Sequence, residues 1–474
     1  MYVEDTMKQL QKQICGDDYV NDEYYQAVEE VFNNIKPLLD KMETYEQHKI
    51  LERLIIPNEM HKFKVTWQND KGETEVNIGY RIQYNNTLGV YKGGTRFHPS
   101  VNEKILKFLA FEQTFKNALS GLPIGGGKGG ADFNPKGKSD SEIMRFCYAY
   151  AEKLNKYIGA DIDVPAGDMG VGSKELGYMF TQLTKIRGSV DFGILSGKPL
   201  DMNGSLLRKE ATGYGLVYML LEMVNKQDNL NITKTENYIN NMKDLKPFLD
   251  KRVVVSGSGN VAIYAAEKVQ QLGGIVIAMS DSSGTIIDEQ GINLRLIKKI
   301  KEENKDRIKV YKDEVSHSQY IPKEDYDSGT HAIWNIQNTD YALPCGTQNE
   351  LWLEDAKNLK KNGCTIVAEG ANMPLSPDAI DQMLKSDIYF APGKLANLGG
   401  VATSYLEMSQ NASLDSWSIT KVENRLIKIM DGAFTNACKT AKEFGDDETN
   451  LLMGANIFGF KRVADAMVQG GFNN

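Results

Sequence analysis

Three lysines, Lys92, Lys116 and Lys128, fall in the stretches YKGGTRF, FKNALSG and PIGGGKGG, and a carboxylate, Asp168, follows in VPAGDMGVG. Glycine flanks let backbone groups approach a ligand with no Cβ in the way. A lysine in such surroundings is more easily desolvated than one on a helix surface, so it can serve as a base. Together the three lysines and the carboxylate are equipment for holding a doubly negative small molecule while a proton donor works beside it. Any one of these lysines alone reads as a solvated side chain beside a loop, and only the set, together with the downstream sequence, reads as a site.

That downstream feature is a phosphate cradle. From Arg252 the chain runs RVVVSGSGNVAIYAAEKVQQLGGIVIAMSDSSG, which is a β-branched run, a turn, a helix-period segment and a second apolar run. Gly257, Gly259 and Ala262 fill the G-x-G-x-x-G/A pattern, which brings a pyrophosphate onto a helix N-terminus, where free N–H groups and the dipole favour anions. Asp281 closes the next strand, the third contextual check that the motif demands.

The elements that must position these groups are legible as periodicities. Val28, Val31, Phe32, Ile35 and Leu38 share one helical face, and Pro57 ends a second helical stretch. Phe63, Val65 and Trp67, then Val76, Ile78, Tyr80, Ile82 and Tyr84 beyond the QNDKG turn, repeat at period two and predict a hairpin in a half-buried sheet. Helices are expected around Glu103 to Leu119 and Ser141 to Tyr157, with the lysine motifs in the connections. A domain boundary is expected near Asn203 and Gly204. The polar interruption from Asn225 to Lys251 reads as an elaborated surface connection, and the lysine-rich helix from Leu294 to Lys305 as a solvated face. ALPCGTQNE, TIVAEGANMP and IYFAPGKLANLGGV place Gly, Asn and Pro directly after apolar runs, as at the ligand-binding carboxyl edge of a parallel sheet.

Composition excludes several classes. With 474 residues and 41% hydrophobic content, the chain can bury a large core spread over two or more domains. A net charge of −8 argues against nucleic acid, whose binding needs a basic surface. The five cysteines, Cys15, Cys147, Cys345, Cys364 and Cys438, are odd in number and scattered, which suits a reducing compartment. The five histidines, His48, His61, His98, His317 and His331, form no metal-ligand spacing, so no metal is expected. The N-terminus MYVEDTMKQLQKQ lacks an apolar signal core, and no apolar run is long enough to span a membrane, so a cytoplasmic location is expected.

Together YKGGTRFHPSV, FKNALSGLPIGGGKGG, VPAGDMGVG, RKEATGYG, GSGNVA, PCGTQNE, EGANMP and APGKLANLGGV make the chain resemble, over nearly its whole length, the hexameric, shorter class of glutamate dehydrogenases. The resemblance implies an α/β fold of two domains separated by a cleft. One is an N-terminal mixed α/β substrate-binding and oligomerisation domain, residues 1–204, to which 450–474 return. The other is a Rossmann-like dinucleotide-binding domain, residues 205–449. It implies that Lys92, with Gly93 and the hydroxyl of Ser404, receives the substrate's side-chain carboxylate, and that Gln113 and Lys116 hold the α-carboxylate. Lys128 would activate water and polarise the carbonyl carbon, and Asp168 would exchange a proton with the substrate nitrogen. Arg208, Thr212, Gly257, Ser258, Gly259, Asn260, Val261, Asn349, Asn372 and Asn397 match positions around the cofactor. Two departures stand out: Asn203 replaces a glycine common among relatives, and the 225–251 interruption is longer than usual.

The expected reaction is reversible oxidative deamination of L-glutamate to 2-oxoglutarate and ammonium by a homohexamer. An acid at the end of the second strand, here Asp281, normally accepts from a ribose 2′-OH, which favours NAD. SDSSG, with Ser282, Ser283 and Lys301, instead resembles the NADP-using relatives, so NADP is expected and NAD is the alternative. A dehydrogenase of apolar amino acids is the rival reading, and Lys92 argues against it, since an apolar pocket would not keep a buried ammonium. A non-catalytic metabolite-binding subunit is a further alternative, opposed by the presence of every proposed catalytic group.

Overall fold

The computed structural model describes residues 2–12, 22–228, 245–445 and 447–471. Cys15 and most of the 225–251 interruption lie outside them. The chain divides into two compact units, residues 1–206, 403–418 and 456–474, and residues 207–402 and 419–455.

In the first unit five strands follow the order β1-β2-β4-β3-β5, with β1 Glu59–Gln68, β2 Thr74–Asn85, β3 Tyr91–Phe97, β4 Gly126–Ala131 and β5 Asp163–Gly167. β1 and β2 form the expected antiparallel hairpin, β4 runs antiparallel to β2, and β3 lies parallel to both β4 and β5. Phe63 pairs with Gly79 and Val65 with Asn77, so the apolar residues of β1 share a face with the odd-numbered residues of β2, opposite Tyr80, Ile82 and Tyr84. The inner part of the sheet is therefore covered on both sides, while β1 and the outer half of β2 keep the half-buried alternation expected. Tyr84 packs against Phe111 of the helix Glu103–Leu119, and Phe63 and Phe97 pack against Tyr150 of the helix Asp140–Leu154. The outer edge stays open, where Met60, Lys62, Lys64, Thr66 and Gln68 of β1 and Val76 and Ile78 of β2 are exposed.

The helix Glu103–Leu119 starts at Asn102, whose side chain accepts from Ile105 N, and the helix Asp140–Leu154 starts in a capping box of Ser139 and Glu142. Apolar periodicity in the helix Glu23–Asn34 buries Val28, Val31 and Phe32, with Ile35 and Leu38 beyond it. The end of the helix Leu451–Gln469 returns to this unit, with Phe460 against Phe115 and Arg462 donating to Ala118 O at 2.9 Å and Gly121 O at 2.8 Å. Residues 403–418, expected in the dinucleotide domain, also join it. A buried ion pair from Lys198 to Glu407 (2.6 Å) and a hydrogen bond from Gln410 to Ser205 (2.9 Å) tie the helix Gly399–Ala412 there.

The second unit holds a seven-stranded sheet in the order β12-β11-β10-β6-β7-β8-β9. β6 (Arg252–Val255), β7 (Ile275–Asp281), β10 (Tyr341–Leu343), β11 (Ile366–Ala368) and β12 (Tyr389–Ala391) are parallel. β8 (Gly284–Ile287) and β9 (Gln319–Pro322) extend the sheet antiparallel. The order reverses at β6, which lies between β10 and β7, the switch point at which open α/β sheets bind ligands. The expected helix from Leu294 to Lys305 is shorter. It spans Leu294–Lys298 and continues as a π turn, and its lysines are partly spent on ion pairs, Lys298 with Glu267 and Lys301 near Asp281. Asn203 takes φ 59°, a left-handed conformation that asparagine tolerates better than most residues, so it meets the backbone demand that a glycine would meet. Among the described residues no helix is long and apolar enough to cross a membrane, and no cluster of three or more His, Cys, Asp or Glu side chains could hold a metal ion.

Candidate active site

Pleating sorts the residues of the first unit. Lys92, Gly94 and Arg96 of β3 share a face with Lys128 of β4 and with Ile82, its partner across β2. Gln113 and Lys116 lie on the helix Glu103–Leu119, whose Thr114 sits so close over β4 that a Cβ at Gly126 would lie 2.0 Å from its hydroxyl. Asp168 directly follows β5. Lys128 Nζ stands 3.0 Å from Asp168 Oδ2, so the two proton-handling groups inferred from the sequence meet directly. Gly94 is required at that meeting: a Cβ there would lie 2.8 Å from Asp168 Cβ and 3.3 Å from Lys128 Nζ.

The opposite face uses its glycines differently. Arg81 of β2 runs beneath Gly127 and Gly129 to reach Asp163, at the start of β5, through Nε to Oδ2 at 2.8 Å and through Nη2 to Oδ1. A Cβ at Gly129 would lie 3.1 Å from Arg81 Cδ, and one at Gly127 would lie 3.5 Å from Nη2. Room attributed to a ligand is here, in part, room for a buried arginine. Gly93 is the tightest position, since a Cβ would fall 1.6 Å from Gly127 O. Gly93→Ala must therefore push β3 from β4, and we expect a loss of at least about 3 kcal/mol in stability, read as a lowered melting temperature. An unchanged transition would show that the strands can part freely here.

Lys92 is buried, and among the described residues no carboxylate comes within ion-pair distance of its ammonium. Burial first, then the Arg81 guanidinium, lowers it to about 7, against the pull of Glu407 and Asp163. Burial and the neighbouring Lys128 charge bring Lys116 to about 8. For Asp168 burial pushes the carboxyl up, but Lys128 and Arg96 outweigh it and hold it below the usual carboxylate range. Gln113 donates to Asn117 Oδ1 at 2.7 Å, and Asn117 in turn donates to Lys92 O at 3.0 Å and Gly125 O at 2.5 Å, which joins the helix to both lysine strands.

Ser404 was expected beside Lys92. No hydrogen bond joins the two; the Ser404 hydroxyl lies 2.6 Å from that of Ser196. Three residues after Ser404, Glu407 accepts from Gly197 N at 2.8 Å and pairs with Lys198, and its charge acts on Lys92. Sequence reasoning missed Ser196, Lys198, Glu407, Arg81 and Arg96. Of these only Arg96 carried a local signal, since it stands four residues after Lys92 on the same face of a strand.

In the second unit β6 leads into Gly257, which takes φ 84°, where a Cβ would lie 2.8 Å from Gly346 Cα. Ser258 follows, then Gly259, which caps the helix Asn260–Gln271 and has open space where a Cβ would be. Ser256 supports the loop by donating to Glu350 at 2.6 Å and accepting from Cys345 N at 2.8 Å. Val261 lies in the first turn of that helix. Asp281 ends β7 with both oxygens in use: Oδ1 accepts from Ser283 N at 2.8 Å and Ser283 Oγ at 2.6 Å, and Oδ2 accepts from Ile308 N at 3.0 Å with Lys301 at 3.7 Å. Arg307, another residue that sequence reasoning missed, donates to Ser282 Oγ. Asn397, after β12, donates to Gly370 O, Ala371 O and Asn372 Oδ1, gathering the β11 and β12 ends. Asn349 takes φ 54° beyond β10 and its N–H donates to Met373 O. Thr212 lies in the first turn of the helix Ala211–Asp228, close to Gly400, and Arg208 lies just before that helix.

Residues 203–471 match the family model for glutamate/leucine/phenylalanine/valine dehydrogenase, and residues 57–185 match the dimerisation domain of the same enzymes. The chain is 48% identical over 472 residues to an NADP-specific glutamate dehydrogenase of Helicobacter pylori, covering 99% of this chain and 100% of that one. It is 44% identical to an NAD-specific glutamate dehydrogenase of Bacteroides fragilis, covering 99% of each. The solved structure of Plasmodium falciparum glutamate dehydrogenase is similar at a TM-score of 0.89 and 42% identity, over 99% of this chain and 94% of that one. The chain belongs to the glutamate/leucine/phenylalanine/valine dehydrogenase family.

Proposed function

We propose that this protein is a glutamate dehydrogenase that uses NADP, converting L-glutamate and water reversibly to 2-oxoglutarate and ammonium. The observation that carries this choice within the family is Lys92. A buried ammonium without an ion pair is costly in an apolar pocket and is stabilised by a substrate carboxylate. Lys92 and Ser404 receive the side-chain carboxylate, and Gln113 and Lys116 receive the α-carboxylate. A bound nicotinamide would supply the hydride chemistry at the α-carbon in both directions. Lys128 activates the water that attacks that carbon, and Asp168 moves protons to and from the nitrogen.

The second unit's residues fit NADP. A carboxylate committed to Ser283 and Ile308 has little capacity left for a ribose 2′-OH, whereas Ser282 and Arg307 offer a hydroxyl and a guanidinium to a 2′-phosphate. Gly257, Ser258, Gly259, Asn260 and Val261 hold the pyrophosphate at a helix N-terminus. Arg208, Thr212, Asn349, Asn372 and Asn397 line the remainder. Homohexamer assembly, a cytoplasmic location and a role in ammonium assimilation complete the reading, which rests here on the family.

The test is the absorbance change of nicotinamide oxidation with 2-oxoglutarate and ammonium. We expect catalytic efficiency with NADPH to exceed that with NADH, and Arg307→Ser to raise KM for NADPH about tenfold while leaving NADH unaffected. A clear NADH preference would overturn the cofactor assignment. Turnover of leucine but not glutamate would overturn the substrate.

A further inference from the structure

Asp168 carries both of its cationic neighbours on one oxygen. Arg96 Nε donates to Oδ2 at 2.9 Å, and Lys128 Nζ lies 3.0 Å from the same atom, while among the described residues no hydrogen-bond donor reaches Oδ1. The backbone around the carboxylate is fixed on both sides. Thr95 pairs with Gly167 across β3 and β5, Phe97 N donates to Met169 O at 2.9 Å, and Val171 N donates to Asp168 O at 2.9 Å. The Arg96 and Asp168 side chains are 21% and 24% exposed, so the pair keeps some access to solvent.

The two cations are not equivalent in turnover. On the dehydrogenase reading, on which this inference rests, Lys128 changes its own protonation state as it activates water, so its charge opposite Asp168 comes and goes. A guanidinium keeps its charge at every accessible pH. We propose that Arg96 is a positioning residue: it anchors Asp168 through Oδ2 as a permanent counter-ion and so presents Oδ1 to the substrate nitrogen in the ionised form whenever Asp168 is to accept a proton.

The charged groups facing Asp168 are Arg96 from β3, Lys128 from β4 and, further off, Lys116 from the helix Glu103–Leu119. The nearest acid of the following helix, Glu175, is spent on Gly172 N. Arg96 helps to hold Asp168 below the usual carboxylate range, so its loss raises that value. A base that must be ionised then fails at a higher pH.

The experiment is the pH profile of kcat/KM for glutamate in the full-length protein and in two variants, Arg96→Gln and Arg96→Lys. For Arg96→Gln we expect the acid limb to move up by about one pH unit, with KM for glutamate within about threefold of wild type. Arg96→Lys keeps the charge but not the planar fork, so its acid limb should stay in place while kcat falls about fivefold or more. If Arg96→Gln does not fold, Arg96→Lys decides alone, since wild-type kcat throughout would overturn the proposal. An Arg96→Gln limb superimposed on wild type, or an Arg96→Lys limb displaced as far as that of Arg96→Gln, would also overturn it. Failure of the dehydrogenase reading looks different, because the unaltered protein would then show no glutamate turnover at all.

Discussion

Asp168→Asn should lower turnover about a hundredfold or more while leaving the affinities for glutamate and cofactor much less affected. The amide keeps the size of the carboxylate and can still accept from Arg96 through its carbonyl oxygen. It cannot take a proton from the substrate nitrogen, and it no longer balances Lys128, 3.0 Å away. Stability should follow the same charge. A carboxyl depressed in the folded state contributes stability above its unfolded value and loses it as the pH falls through the folded value. The variant should therefore be less stable than wild type at neutral pH, with the gap closing in acid. Near-normal turnover combined with weakened binding would move Asp168 from proton transfer to substrate positioning.

Lys92→Leu should change activity and stability in opposite directions. Without the ammonium the side-chain carboxylate of glutamate is buried unpaired, so kcat/KM for glutamate should fall about a thousandfold. In the free protein the same ammonium is a burden. Its folded value of about 7 lies below the unfolded value of roughly 10.4, so the unfolded chain holds a proton that the folded one releases across that window. The penalty is fully present below pH 7 and fades as the pH rises through the window. The ligand-free variant should consequently melt several degrees above wild type at pH 6, and the difference should shrink towards pH 10. A melting temperature at or below that of wild type at pH 6 would mean that the pocket already gives Lys92 a partner.

The proposed catalytic pair was legible in the sequence because each member sits in an ordered local motif, and the structure brings Lys128 and Asp168 into contact. The hairpin was legible from period two, but its surroundings were not. Two strands that alternate correctly do not reveal that their apolar faces point to opposite sides of the sheet, which depends on the pairing of Phe63 with Gly79. The supports of the site were hidden for another reason. Arg81 finds Asp163 across 82 residues and Lys198 finds Glu407 across 209, and no local spacing announces such partners. The motif SDSSG pointed towards NADP, yet the physical support for that choice, a carboxylate already committed to Ser283 and Ile308 with Arg307 beside Ser282, comes from the folded loop.

Arg81, Gly127, Gly129 and Asp163 bear on how this enzyme could be redesigned. Gly129 leaves room for the arginine, Gly127 is held small by Ile82 O, 3.0 Å from where its Cβ would be, and Asp163 accepts from the guanidinium through both carboxylate oxygens. Shortening the arginine would strand a buried carboxylate, at a cost of about 3–5 kcal/mol. A Cβ at Gly129 would press on the arginine, and one at Gly127 on the backbone of β2. These four positions must therefore drift or be exchanged as a block, and single-site libraries across them would return mostly unfolded clones. Ser196 and Ser404 contact none of the four side chains, and Lys92 feels Arg81 and Asp163 only through their charges, so combinatorial diversity aimed at new amino-acid substrates belongs there, with the arginine–glycine block held constant.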